Sequence, residues 1–69
     1  MELSARNILK GTVTTVDIGA VNAEVRVEVA PDLEVTSIIT KRSCEHLELE
    51  VGKEAYVVIK ATSVMIGAE

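Results

Sequence analysis

The chain has 69 residues, enough for one domain spanning 1–69, and carries a formal net charge of -4. A domain this short buries only about 60% of the surface its unfolded form exposes; its single cysteine, Cys44, rules out an internal disulfide as reinforcement and leaves association between copies. The acidic balance disfavours general attraction to nucleic acid or anionic lipid, and no apolar run approaches the roughly 20 residues that span a bilayer, so a soluble, cytoplasmic protein is expected.

Valine (11), isoleucine (6) and threonine (6) supply 23 of the 69 residues, a composition that reads as sheet. Phe and Trp are absent and Tyr56 is the only aromatic, which removes the stacking platforms of a single-strand nucleic-acid binder.

In chain order, residues 9–19 read as a long first strand with Leu9, Gly11 and Val13 on one face and Lys10, Thr12 and Thr14 on the other; the phase blurs after Thr15. Gly19 and Asn22 mark a turn. Residues 22–30 alternate cleanly, Ala23, Val25, Val27 and Val29 inward and Glu24, Arg26 and Glu28 outward, as in a half-buried second strand. Pro31-Asp32 forms the next turn, and residues 33–40 a third strand. Period 2 then breaks: Cys44 and Leu47, three apart, suggest the inner face of a short helix capped by Thr40, and Gly52 ends the turn after it. Residues 54–61 and 63–67 are expected as the fourth and fifth strands. Five strands with a helix between the third and fourth is the order of an all-β, OB-like five-stranded Greek-key barrel. A five-stranded open meander packed on a partner is the alternative, and either leaves edges that invite pairing between subunits.

An enzyme is not expected. His46 stands alone beside Glu45, Cys44 reads as a small core residue, and Glu45, Glu48 and Glu50 read as a solvated face without the ligand spacing of a calcium loop. Hydrogen-bond donors are better represented. Ser4, Arg6 and Asn7 open the first strand, Thr40 closes the third, and Lys60, Thr62 and Ser63 close the fourth. These offer hydroxyl, guanidinium, ammonium and backbone N–H donors with no carboxylate among them. Phosphate near neutral pH carries a proton that wants an acceptor, whereas sulfate, molybdate and tungstate carry none and suit a donor-only site, with cavity size left to separate large from small anions.

The stretch SARNILKGTV (residues 4–13), with VNAEV (21–25), TSIIT (36–40) and VGKEAYVVIKATSVMIG (51–67), closely resembles the molbindin, or Mop, family of molybdate- and tungstate-binding TOBE-type domains, over nearly the whole chain. The resemblance implies a homohexamer, a trimer of dimers, that stores or buffers molybdate or tungstate in the cytoplasm at sites between subunits. Molybdenum would be held as the oxyanion, with no side chain coordinating the metal directly. It further implies that Ser4 donates its hydroxyl, Ala5 a backbone N–H and Arg6 charge-assisted bonds; that Lys60 and Ala61 contribute an ammonium and a backbone N–H from the other end of the sheet; and that Thr40 comes from a neighbouring subunit. A second site near a threefold axis would involve Val21, Asn22 and Ala23. The same module occurs in the family appended to regulators and transporter ATPases, for which these 69 residues leave no room. Two positions depart from the family pattern: Ile8 replaces a common glutamine, and residues 29–35 replace a glycine-rich turn, neither removing a donor. Asn7 is expected to tie the first strand to a neighbour. The alternative function is an oligomerisation or accessory module whose donors merely satisfy interface groups.

Overall fold

A computed structural model describes residues 2–69. Its elements are β1 (Asn7–Ile18), β2 (Asn22–Ala30), β3 (Leu33–Thr40), α1 (Lys41–His46), β4 (Glu54–Ile59) and one 3-10 turn (Ala61–Ser63). The sheet is antiparallel, in the order β3-β2-β1-β4.

The twelve-residue β1 serves two partners in succession. Its first half pairs with β4, from Asn7↔Ile59 to Thr12↔Glu54, and its second half with β2, from Thr12↔Glu28 to Ile18↔Ala23. At the changeover the backbones come unusually close: a Cβ on Gly11 would run into the Glu28 carbonyl oxygen and lie 2.8 Å from Val27 Cγ1. Only glycine fits there. A β-bulge follows between Val13 and Thr15. The extra residue, Thr14, holds its hydroxyl between the Arg26 carbonyl and the Glu34 carboxylate, and the bulge turns both Val13 and Val16 inward although they are three apart. That bulge is the reason the alternation blurs after Thr15.

The inner face of β2 behaves as the alternation predicts: Ala23, Val25 and Val27 are 1–4% exposed, and with Val13 and Cys44 they make up the buried core. Val16, Val29, Ile39, Leu49, Ala55 and Val57 are partly buried around them. No core side chain is larger than valine. The β2–β3 hairpin turns at Pro31-Asp32, with Ala30 opposite Leu33 and Asp32 at φ 60°.

Thr40 is the N-cap of α1, its Oγ accepting from Ser43 N at 3.0 Å and bonded to Ser43 Oγ at 2.9 Å. At the other end, Glu48 takes a left-handed conformation (φ 53°), Glu48 N bonds to Glu45 O at 3.0 Å and Leu49 N to Cys44 O at 3.2 Å, a Schellman stop. The stop corrects one expectation. Cys44 is buried, but Leu47 is turned outward and 55% exposed, and Leu49, beyond the reversal, packs on the core instead. Lys53 Nζ closes the motif, donating to the carbonyls of Leu47 (2.8 Å) and Glu48 (3.2 Å). Replacing Thr40 by alanine is expected to cost about 1 kcal/mol of stability through the lost cap, read by urea unfolding without ligand; Thr40→Ser should retain most of it.

The fold is all-β apart from α1, but among the described residues the sheet has four strands, not five, and shows neither the closed barrel nor the five-stranded meander. The expected fifth strand at 63–67 is the difference. Residues 61–63 form the 3-10 turn and, among the described residues, residues 64–67 pair with no strand. Alternation marks a segment as extended without naming its partner, and here no partner within the chain is taken.

Candidate functional site

The register of β1 against β4 places the donors. Asn7 lies opposite Ile59, so the residues just before β1 (Ser4, Ala5 and Arg6) and just after β4 (Lys60 and Ala61) leave the ladder at the same end. This corrects the expectation that Lys60 and Ala61 come from the other end of the sheet. Antiparallel pairing brings the start of one strand to the finish of its neighbour. Asn7 is structural, as expected, its Nδ2 donating to Ile59 O at 3.2 Å. Ser4, Arg6, Lys60 and Ala61 are exposed and Ala5 is half-buried. In the turn, Ser63 N bonds to Lys60 O at 2.8 Å and Val64 N to Ala61 O at 3.3 Å. The N–H groups of Ala61 and Thr62, at the turn's start, have no acceptor within it and are available to a ligand. Thr62 is thus a donor whose hydroxyl was visible in the sequence but whose backbone role is not.

Charge supports the same end. Among the described residues Lys10 pairs with Glu54 (3.3 Å) and Arg26 with Glu24 (3.2 Å), and Lys53 is engaged by carbonyls. Among the described residues Arg6 and Lys60 have no carboxylate partner, so this end of the ladder carries two unpaired cations in a chain of net charge -4. Two open depressions of the surface, one lined by Glu48, Glu50, Val51, Gly52 and Lys53, the other by Arg42, Ser43, His46 and Leu47, lie elsewhere. Neither includes a residue of the Arg6–Lys60 end.

Thr40 is not at that end. It lies opposite Asn22 where β2 begins, and Lys41 N bonds to Val21 O at 2.7 Å, Gly19 N to Asn22 O at 2.8 Å. Val21, Asn22, Ala23 and Thr40 therefore cluster at the Ile18 end of β1, whereas Ser4, Arg6 and Lys60 lie at the Asn7 end. Twelve strand residues at about 3.3 Å each put roughly 35 Å of strand path between them, so Thr40 and the Arg6–Lys60 group lie at opposite ends of β1. Val21 and Asn22 are exposed, while Ala23 is 1% exposed, its side chain in the core, leaving only its backbone to a ligand. Lys41 and Arg42, legible in the sequence only as the opening of a helix, are a second pair of cations without ion-pair partners, next to Thr40.

Residues 3–66 match the TOBE domain. The chain is 52% identical over 66 residues to molybdenum-pterin-binding protein 3 of Clostridium pasteurianum, covering 96% of this chain and 97% of the relative. Its fold superposes on MopII of C. pasteurianum in an apo form with a TM-score of 0.91 at 46% identity, covering 97% of this chain and all of that one. It superposes equally well (TM-score 0.94, 48% identity) on ModG, described as a cytoplasmic molybdate-binding protein and crystallised with molybdate bound; there it covers all of this chain and 49% of ModG.

Proposed function

The chain belongs to the TOBE-domain family of Mop proteins, and from that premise we propose that it binds molybdate or tungstate as the intact oxyanion, stores it in the cytoplasm, and does so at sites shared between subunits of a homohexamer. The observation that carries the proposal is the pair Arg6 and Lys60, two cations free of carboxylates at one end of the β1–β4 ladder, flanked by Ser4, Ala5, Ala61 and Thr62. A tetrahedral dianion presents four acceptor oxygens and no proton. Arg6 offers a planar fork, Lys60 a point charge with three donors, Ser4 a hydroxyl, and Ala5 and Ala61 backbone N–H groups.

The position of Thr40 supports an intersubunit site. It lies at the opposite end of β1 from Arg6, which supports the reading that Thr40 would approach the anion from a second copy. The group of Val21, Asn22 and Ala23 is our candidate for a second site; within one chain it lies at the Ile18 end of β1, away from Arg6 and Lys60. The family's named relatives are binding proteins, which supports a binding rather than catalytic role.

Equilibrium dialysis against molybdate, tungstate and sulfate at physiological salt tests this reading. Retention of the two heavier anions over sulfate is expected; equal or absent retention would sink it and favour a module that only oligomerises. Because ligand would bind only the assembled, folded form, free molybdate at 100 times its dissociation constant should stabilise each occupied site by about 2.7 kcal/mol. A melting temperature that rises with molybdate and stays flat with sulfate is the expected result.

A further inference from the structure

One side chain ties together the two strand ends that carry Arg6 and Lys60. Asn7 and Ile59, both half-buried, form the last pair of the β1–β4 ladder, and Asn7 Nδ2 donates to Ile59 O at 3.2 Å. Among the described residues only one other polar side-chain contact joins these strands, the exposed Lys10–Glu54 pair. The end of a ladder is where strands fray, so a side-chain bond there holds what the next residues would otherwise release.

The carbonyl that Asn7 holds has a definite place relative to the donors. Ile59 O belongs to the planar peptide whose N–H is that of Lys60; Lys60 O, held by Ser63 N at 2.8 Å, belongs to the planar peptide whose N–H is that of Ala61. The two peptide planes flanking the Lys60 Cα are thus each held by a hydrogen bond, with Lys60 extended between them at φ -64° and ψ 132°. Together the two bonds set the direction in which the Lys60 side chain leaves the backbone and the direction of the Ala61 N–H. Arg6, on the other strand, immediately precedes Asn7 and is anchored by the same contact.

We propose that Asn7 is a positioning residue of the oxyanion site, setting its preference for molybdate over sulfate without touching either anion. The proposal rests on the reading above that Arg6, Lys60 and Ala61 bind the anion. Molybdate and sulfate are both tetrahedral dianions with four acceptor oxygens, and they differ in size. Charge alone does not separate them. A donor set held in place fits one size and leaves the other with long or misaligned bonds, whereas a loose set closes on either. An amide suits the task because it supplies the restraint while adding no negative charge beside the anion.

Titration calorimetry on the assembled full chain, with molybdate and sulfate in parallel, tests the role. Asn7→Ala and the near-isosteric Asn7→Leu both remove the donor and lie outside the buried core. Each should raise the molybdate dissociation constant about three- to tenfold, the range of one hydrogen bond, and change that for sulfate less than about twofold, so that the preference narrows. Arg6→Ala, which removes charge felt by both anions, should weaken both and leave their ratio nearly intact. Urea unfolding without anion reads any loss of stability separately. A native preference for molybdate that both Asn7 variants keep, or a loss of both anions in equal measure, would overturn the positioning role while the binding reading stands. Variants that do not assemble would overturn it too, because Asn7 would then serve the fold and not the site. A native chain with no preference for molybdate would remove the binding reading and this role with it.

Discussion

Gly11→Ala is expected to destabilise the fold by about 3 kcal/mol, a drop of more than roughly 10 °C in melting temperature for a domain of this size. The added methyl group would meet the Glu28 carbonyl oxygen, which is backbone and cannot rotate aside, and Val27 Cγ1 at 2.8 Å, whose side chain is already part of the core. The two strands can separate only by breaking the ladder at Thr12↔Glu28, the point where β1 passes from β4 to β2. Gly67→Ala is the control, because a Cβ there has no neighbour within 4 Å. Urea unfolding of both variants at matched protein concentration checks the prediction, matching being needed because association contributes to apparent stability. A Gly11→Ala midpoint equal to that of the control would show that the strands do not approach as closely as described.

The changeover at Gly11 matters beyond stability. There one strand passes from β4 at its start to β2 at its finish, and so carries two groups of donors at its two ends. Neither group encloses an anion within one chain, and each leaves a pair of cations unneutralised: Arg6 with Lys60, and Lys41 with Arg42. In an acidic protein such pairs repel each other locally and gain by accepting an anion between them. On the proposed reading, each group would be a half-site that a second copy completes.

Much of this was legible in the residues. The strict alternation of β2 gave its face, the Pro31-Asp32 turn its hairpin, and Thr40 ahead of the break in period 2 its cap, because each signal is local. Leu47 misled because three-residue spacing describes a helix only while the helix continues, and the left-handed Glu48 ends it one residue later without a glycine to announce the stop. Thr14 and Thr15, adjacent and chemically alike, conceal the bulge that resets the phase. The positions of Lys60 and Ala61 depend on which strands pair and in which direction, and a long-range pairing leaves no trace in the spacing of nearby residues. Ser4, Ala5 and Arg6 stood out by chemistry, but their closeness to Lys60 required the register.

Arg6→Ala is expected to weaken molybdate binding by roughly 1.5 to 3 kcal/mol, or about 10- to 150-fold, by removing charge-assisted hydrogen bonds and one of the two free cations. Lys60→Ala should fall in the same range. If both contact one anion, the double variant should depart from the sum of the single effects, whereas cations serving separate sites would act additively. Arg6→Lys separates charge from geometry: it keeps the cation but loses the planar fork, and should lie between the native chain and Arg6→Ala. Arg26→Ala is the control, since Arg26 is already paired with Glu24 at 3.2 Å and has no free charge to offer. Titration calorimetry on the assembled protein, with its oligomeric state verified for every variant, reads all five. Unchanged affinity in both Arg6→Ala and Lys60→Ala would move the anion to the Thr40 end, where Lys41 and Arg42 would be the next residues to replace.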